Sequence, residues 1–225
     1  MNIVEYADRE MMMMDLATIL ADEIKSQLHH EDRVTLAVPG GTTPGPIFDG
    51  LSAVDLGWDR VDVMLTDERW VSETSERSNT RLLQNRLLTG YAQAANLIPL
   101  YETADTPEEA LPNLRKNLSP HLPINVLLLG MGADMHTASL FPGADRLEEA
   151  FDPLAPVLLP MRADGADEPR ITLTVPALQS AMTTHIVIAG QEKREAIKVA
   201  SKTKDFKQAP IAAFLNNATI HWADE

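Results

Sequence analysis

Val34-Thr35-Leu36-Ala37-Val38-Pro39-Gly40-Gly41-Thr42-Thr43-Pro44 is the stretch on which the reading of the whole chain turns. Its first five residues carry no charge and include three β-branched side chains, so they form a short strand buried on both faces. Pro39-Gly40-Gly41 stops that strand, and Gly45 to Ala53 continues as a helix. The same kind of apolar run recurs at Val61–Leu65, Asn125–Leu129, Ile171–Val175 and His185–Ala189. Between the runs the pattern is helical. From Arg9 to His30 the residues Met12, Leu16, Leu20, Ile24 and Leu28 recur every four, so one helix face is buried. Met11 to Met14 therefore belongs to a packing helix rather than to a metal or cofactor box. Further helices are expected over Ser78–Thr89, over Thr106–Leu118 with an interruption at Pro112, and over Gln191–Ser201.

Buried strands alternating with helices imply an α/β fold. The expected architecture is a mostly parallel sheet with helices on both faces, a Rossmann-like three-layer sandwich. No internal repeat or low-complexity linker divides the 225 residues, so residues 1–225 are expected to form a single domain. The loosest stretch, Met161 to Pro169, is rich in Asp, Ala and Gly and reads as a mobile loop.

Composition narrows the function. The chain has 33 Asp+Glu against 19 Lys+Arg, a formal net charge of −14. Such a field repels nucleic acid and anionic membranes, so neither is expected as a partner. A small phosphorylated ligand remains compatible if a few cations converge locally. Cysteine is absent, which removes disulfides, thiolate catalysis and cysteine zinc sites. Met1 to Glu10 carries acids where a signal peptide would be basic, and no apolar run approaches the roughly 18 residues of a membrane span. A soluble, cytoplasmic protein is the expectation.

Ligands of open α/β sheets bind at the carboxyl ends of the strands, and the unusual clusters follow predicted strands. Gly40-Gly41-Thr42-Thr43 precedes a helix, so its backbone can approach an anion at a helix N-terminus; it can equally be a tight turn. Asp67-Glu68-Arg69 ends the second run and reads either as a solvated turn or, with Ser78-Asn79 opening a helix shortly after, as an ordered loop. Gly130-Met131-Gly132 superficially suggests a dinucleotide loop, but Met135 stands where the third glycine would be, so no nicotinamide cofactor is expected. In the segment Asp134-Met135-His136-Thr137-Ala138-Ser139-Leu140-Phe141-Pro142-Gly143, His136 at a strand end reads as a general base. Ser139 lacks the Gly-x-Ser-x-Gly surroundings of a nucleophile. Arg170, opening a strand, and Lys193, in the first turn of a helix, are further cations for an anion site. His29, His30, His121, His185 and His221 have no metal-ligand spacing, so no metal is expected.

Together these clusters resemble the 6-phosphogluconolactonase family, from near Val34 to Trp222. The carriers are Gly-Gly-Thr-Thr-Pro, Asp-Glu-Arg followed by Ser78-Asn79, His136 to Gly143, Arg170-Ile171-Thr172-Leu173-Thr174 and Gly190-x-x-Lys193. The resemblance implies hydrolysis of 6-phospho-D-glucono-1,5-lactone, the second step of the oxidative pentose phosphate pathway, without a cofactor. It implies His136 as the base acting on water, with Asp134 beside it either orienting the imidazole or shaping the loop, the second being favoured. The phosphate would rest on Gly40, Gly41, Thr42 and Thr43, with Asp67, Arg69, Arg170 and Lys193 around the substrate. The glucosamine-6-phosphate deaminases share the architecture but carry Asp-Glu-Tyr at the second cluster and a carboxylate where this chain has Phe141. The alternatives are therefore such a deaminase or isomerase, or a sugar-phosphate sensor without turnover. The lactonases usually read Asp-Gly-His where this chain has Met135. If that glycine only leaves room for substrate, Met135 takes a negative φ and turns its side chain away from the pocket.

Overall fold

The computed structural model describes residues 1–203 and 205–224. In chain order the strands and α-helices are β1 (Asn2–Tyr6), α1 (Arg9–Leu28), β2 (Val34–Val38), α2 (Gly45–Ser52), β3 (Val61–Leu65), β4 (Asp67–Arg69), α3 (Asn79–Arg86), β5 (Asn96–Ile98), α4 (Pro107–Leu118), β6 (Val126–Gly130), α5 (Leu147–Phe151), β7 (Leu158–Met161), β8 (Arg170–Leu173), α6 (Val175–Gln179), β9 (Thr183–Ala189), α7 (Gln191–Ala200) and β10 (Thr219–Ala223).

Seven strands form one sheet in the order β1-β10-β9-β6-β2-β3-β5, every pairing parallel. All five residues of β2 and all five of β3 are buried. Side chains alternate between the faces of a strand, so burial of both sets means that both faces are covered by helices. The fold is thus the three-layer α/β arrangement expected from the apolar runs. Asp8 caps α1, accepting a hydrogen bond from Met11 N at 2.7 Å. Met12, Leu16, Leu20, Ile24 and Leu28 are all buried against the sheet, while Met11 and Met14 face outward. Pro112 lies inside α4 without ending it.

Two expectations need correction. Ile171–Val175 is not a strand of the parallel sheet. Its residues up to Leu173 belong to β8, which pairs antiparallel with β4 and β7 in a separate three-stranded sheet, and Val175 opens α6. An apolar run reports burial and says nothing of the strand's partner. Asp67-Glu68-Arg69 is neither a turn nor a loop: it is β4 itself, opposite Thr172, Ile171 and Arg170. The edge strand β1 also carried little signal, because none of its residues is fully buried.

From β2 the chain proceeds to β3 and β5 on one side, and from β6 to β9 and β10 on the other. The topological switch point therefore lies between β2 and β6, where the loops leaving their carboxyl ends diverge and open a crevice. Those two loops are Pro39–Pro44 and Met131–His136.

Candidate active site

The crevice is a cleft of about 300 Å³, and its walls include Gly40, Gly41, Thr42, Thr43, Asp67, Arg69, His136, Arg170 and Lys193. Every predicted site residue except Asp134 therefore meets there. The carboxyl ends of β2, β6 and β9 and the small antiparallel sheet supply them, across a sequence span of more than 150 residues.

His136 is held from three sides. Its Nδ1 lies 2.5 Å from Asp134 Oδ1, which also accepts the His136 backbone N–H at 3.2 Å. Asp134 thus both braces the loop and orients the ring, where the sequence leaves the two roles as alternatives and favours the first. An Nδ1–H directed at a carboxylate leaves Nε2 as the basic nitrogen, and Nε2 makes no hydrogen bond among the described residues. The Phe141 ring lies 4.3 Å from the imidazole, centroid to centroid. Under the ring, Gly132 is required by close approach: a Cβ there would lie 2.3 Å from His136 Nδ1 and Cε1. Gly132 N also donates to the His136 carbonyl at 3.0 Å, closing the loop on itself.

The expected negative φ at Met135 is wrong. Met135 has φ 67°, in the left-handed region, and Ala138 has φ 49°. The turn that closes Gly132 onto His136, with Met135 N donating to Gly132 O at 3.0 Å, bends through Met135. The backbone conformation is thus what a glycine would supply without strain, and Met135 adopts it at a cost of about 1 kcal/mol or more. Its side chain does leave the cleft, packing half-buried against the core.

Two of the three cations come from paired strands, and Lys193 comes from α7. Arg69 on β4 stands directly opposite Arg170 on β8, a like-charge pairing that is unfavourable alone. The Nε atoms of both are buried without a hydrogen-bond partner. Asp67 Oδ2 lies 3.9 Å from Arg170 Nη1 and accepts from Ser139 Oγ at 2.6 Å. Ser139, wholly buried, thus holds an acid in place. Burial lowers the Arg170 pKa from its ordinary value, with Asp67 opposing, and burial likewise lowers that of Lys193, near Arg9. Among the described residues no group of three His, Asp or Glu converges as a metal-holding set.

Sequence reasoning missed two acids. Glu68, the central residue of β4, is fully buried. It accepts hydrogen bonds from the backbone N–H groups of Arg69, Asn79 and Thr80 and from the hydroxyls of Ser78 and Thr80, at 2.7–3.2 Å. Burial raises its pKa while these donors oppose the rise. It ties the N-terminus of α3 to β4 and sets Asn79 against Gly40, where a Cβ would lie 2.1 Å from the Asn79 side chain. The second acid is Glu168, at the end of the loop read as loose. Its side chain is only 11% exposed and accepts from Arg77 Nη2 at 3.0 Å. The only local signal for Glu68 was its neighbourhood in the Asp-Glu-Arg triplet; Glu168 had none.

Comparison with known proteins agrees with this layout. A family described as glucosamine-6-phosphate isomerases/6-phosphogluconolactonase matches residues 7–222. A 6-phosphogluconolactonase of Rhizobium meliloti (strain 1021) is 41% identical over 218 residues, covering 92% of this chain and 94% of the relative. One from Mesorhizobium japonicum is 40% identical over 224 residues, covering 97% and 93%. The crystal structure of a 6-phosphogluconolactonase from Shewanella baltica OS155 superposes with a TM-score of 0.95 at 28% identity, over 100% of this chain and 97% of that one. A cleft at the switch point, built from the Gly-Gly-Thr-Thr loop and the His136 loop, with a match of this extent around it, places the chain in the glucosamine-6-phosphate isomerase/6-phosphogluconolactonase family.

Proposed function

We propose that residues 1–225 act as one enzyme domain that hydrolyses 6-phospho-D-glucono-1,5-lactone to 6-phospho-D-gluconate, the second step of the oxidative pentose phosphate pathway. The carrying observation is an imidazole whose Nδ1 lies on Asp134 and whose Nε2 is unbonded, in a cleft whose two arginines have buried Nε atoms without acceptors. The relatives' names supply the substrate class.

His136 Nε2 takes a proton from a water as its oxygen attacks the lactone carbonyl carbon, forming a tetrahedral oxyanion. When the carbonyl re-forms, the C–O bond to the ring oxygen breaks and the imidazolium returns the proton to that oxygen. Asp134 keeps the ring in the required tautomer and stabilises its charged form, and general base catalysis of this kind is worth ~10²–10⁴ in rate. The phosphate lies against the Gly40–Thr43 loop at the N-terminus of α2. Arg69, Arg170 and Lys193 supply the positive charge that the acidic molecule as a whole lacks. Phe141 beside His136 disfavours the deaminase alternative, which needs a carboxylate at that place. The proposed substrate requires neither a membrane nor a nucleic acid, and among the described residues no helix is long and apolar enough to cross a membrane.

The test is hydrolysis of freshly generated lactone beside release of ammonia from glucosamine 6-phosphate. Lactone hydrolysis well above the spontaneous rate, with no ammonia, is the expected result. Ammonia release would establish the deaminase, and binding without turnover of either compound would establish the sensor.

A further inference from the structure

Arg69 and Arg170 face each other across β4 and β8, and two like charges in that position need a counter-charge in the free protein. Asp67, which accepts from Ser139, supplies part of it to Arg170 from 3.9 Å. The other acid within reach is Glu168, the residue two before Arg170. Its Oε1 lies 4.0 Å from Arg69 Nε and 3.8 Å from Arg170 Nη2. At those separations it supplies field without occupying a donor, and both buried Nε–H groups remain unbonded. What holds it back is Arg77, whose Nη2 lies 3.0 Å and 3.1 Å from its two oxygens. Arg77 in turn stays in place by its own backbone, since its carbonyl accepts from Arg69 Nη1 at 2.9 Å.

We propose that Glu168 is a built-in counter-anion of the Arg69–Arg170 pair, tethered by Arg77 just outside hydrogen-bonding distance, and that it sets how tightly this cleft holds a phosphoryl group. The inference rests on the reading of the arginine pair as the phosphate-binding cations. An incoming phosphate dianion meets two guanidiniums whose Nε–H donors are unbonded and whose charge is partly offset, so its binding is weaker than that of the bare pair. Such moderation suits a reaction whose product gains a carboxylate and must leave. Glu168 tunes affinity in this role, and it touches no reacting atom.

The test uses the full chain with inorganic phosphate as the probe, by calorimetry and as a competitor of lactone hydrolysis. Glu168→Gln keeps the shape and the hydrogen bond to Arg77 while removing the charge. It is expected to bind phosphate about three- to tenfold tighter at low ionic strength, with the gain shrinking as salt is added. Arg77→Ala frees the carboxylate to bond the pair, so phosphate binding weakens severalfold. In the double variant binding returns to that of Glu168→Gln, because the acid that Arg77 restrains is gone. Glu168→Asp, which keeps the charge, falls between wild type and Glu168→Gln. Equal or weaker binding by Glu168→Gln, or a double variant that behaves like Arg77→Ala, overturns the proposal. Arg170→Ala keeps the two readings apart: if it binds phosphate as well as wild type, the arginine pair is not the phosphate site and the underlying reading fails first.

Discussion

Two histidine regions adjoin the same sheet and differ in the number of ring nitrogens left open. At the carboxyl end of β6, His136 has Nδ1 on Asp134 and Nε2 open to the cleft. Between the sheet and α1, His185 and His221 form a closed chain. The Tyr6 hydroxyl lies 2.9 Å from Asp15 Oδ2 and 2.8 Å from His221 Nδ1. His221 Nε2 meets His185 Nδ1 at 2.9 Å, and His185 Nε2 meets Glu23 at 3.0 Å. Every ring nitrogen in that chain has a partner, and His221 is wholly buried. Burial first, and the neighbouring His185 second, lower the His221 pKa to about 4. The closed region stabilises the fold and has nothing left to offer a ligand. The open region carries strain at Met135 and Ala138, and two arginine donors without acceptors. Reactivity here goes with unfilled hydrogen-bonding capacity, and histidine content alone does not mark it.

The hardest test of that contrast is to remove the open nitrogen. His136→Gln should lower kcat by ~10²–10⁴ while altering substrate affinity little, because it removes proton transfer and keeps a polar group. Steady-state kinetics with fresh lactone measure this, and a loss below about tenfold would make the two regions equivalent for catalysis.

The closed region should show itself in stability instead. The folded pKa of His221 is about 4, against about 6.5 for an unperturbed histidine. As pH falls through about 6.5 the unfolded chain binds the proton first. The contribution is fully present above about 6.5 and lost as pH falls towards 4, up to roughly 3 kcal/mol. Denaturant unfolding from pH 7 to pH 4.5 should show this slope in wild type and a flatter one in His221→Phe. Parallel slopes in the two proteins would remove His221 from the acid sensitivity.

Arg69→Ala probes the orphaned donors. A charged hydrogen bond is worth roughly 1.5–3 kcal/mol, so 6-phosphogluconate should bind at least about tenfold more weakly while gluconate is hardly affected. Equal losses for both ligands would assign Arg69 to the lactone end of the cleft or to the packing of β4.

The smallest effect sharpens the question of strain. At φ 67° an alanine is disfavoured relative to glycine. Met135→Gly should therefore be more stable than Met135→Ala by about 1 kcal/mol, the reverse of their order at a helical position. Comparing the two variants cancels the packing lost with the methionine side chain. Thermal unfolding decides it, and an alanine variant as stable as the glycine variant would mean that the turn relaxes at no cost.

Much of this protein is legible in one dimension. Apolar runs and the four-residue recurrence in α1 determine which segments are buried and whether they are strand or helix, because side-chain periodicity is a local property of the backbone. The glycines and threonines after β2, and His136 after β6, are legible as site residues because parallel sheets leave their strand ends to ligands. What only the tertiary structure decided is pairing. The antiparallel register places Arg69 against Arg170, Glu68 beneath the start of α3, and Glu168 within 4.0 Å of both Arg69 and Arg170. The left-handed turn at Met135 is of the same kind, since its φ follows from closing Gly132 onto His136 and not from the preference of methionine. These contacts join residues whose separation in sequence says nothing of their distance in space. Charge and hydrogen-bond balance at the cleft depend on that distance, so they exist only once the chain has folded.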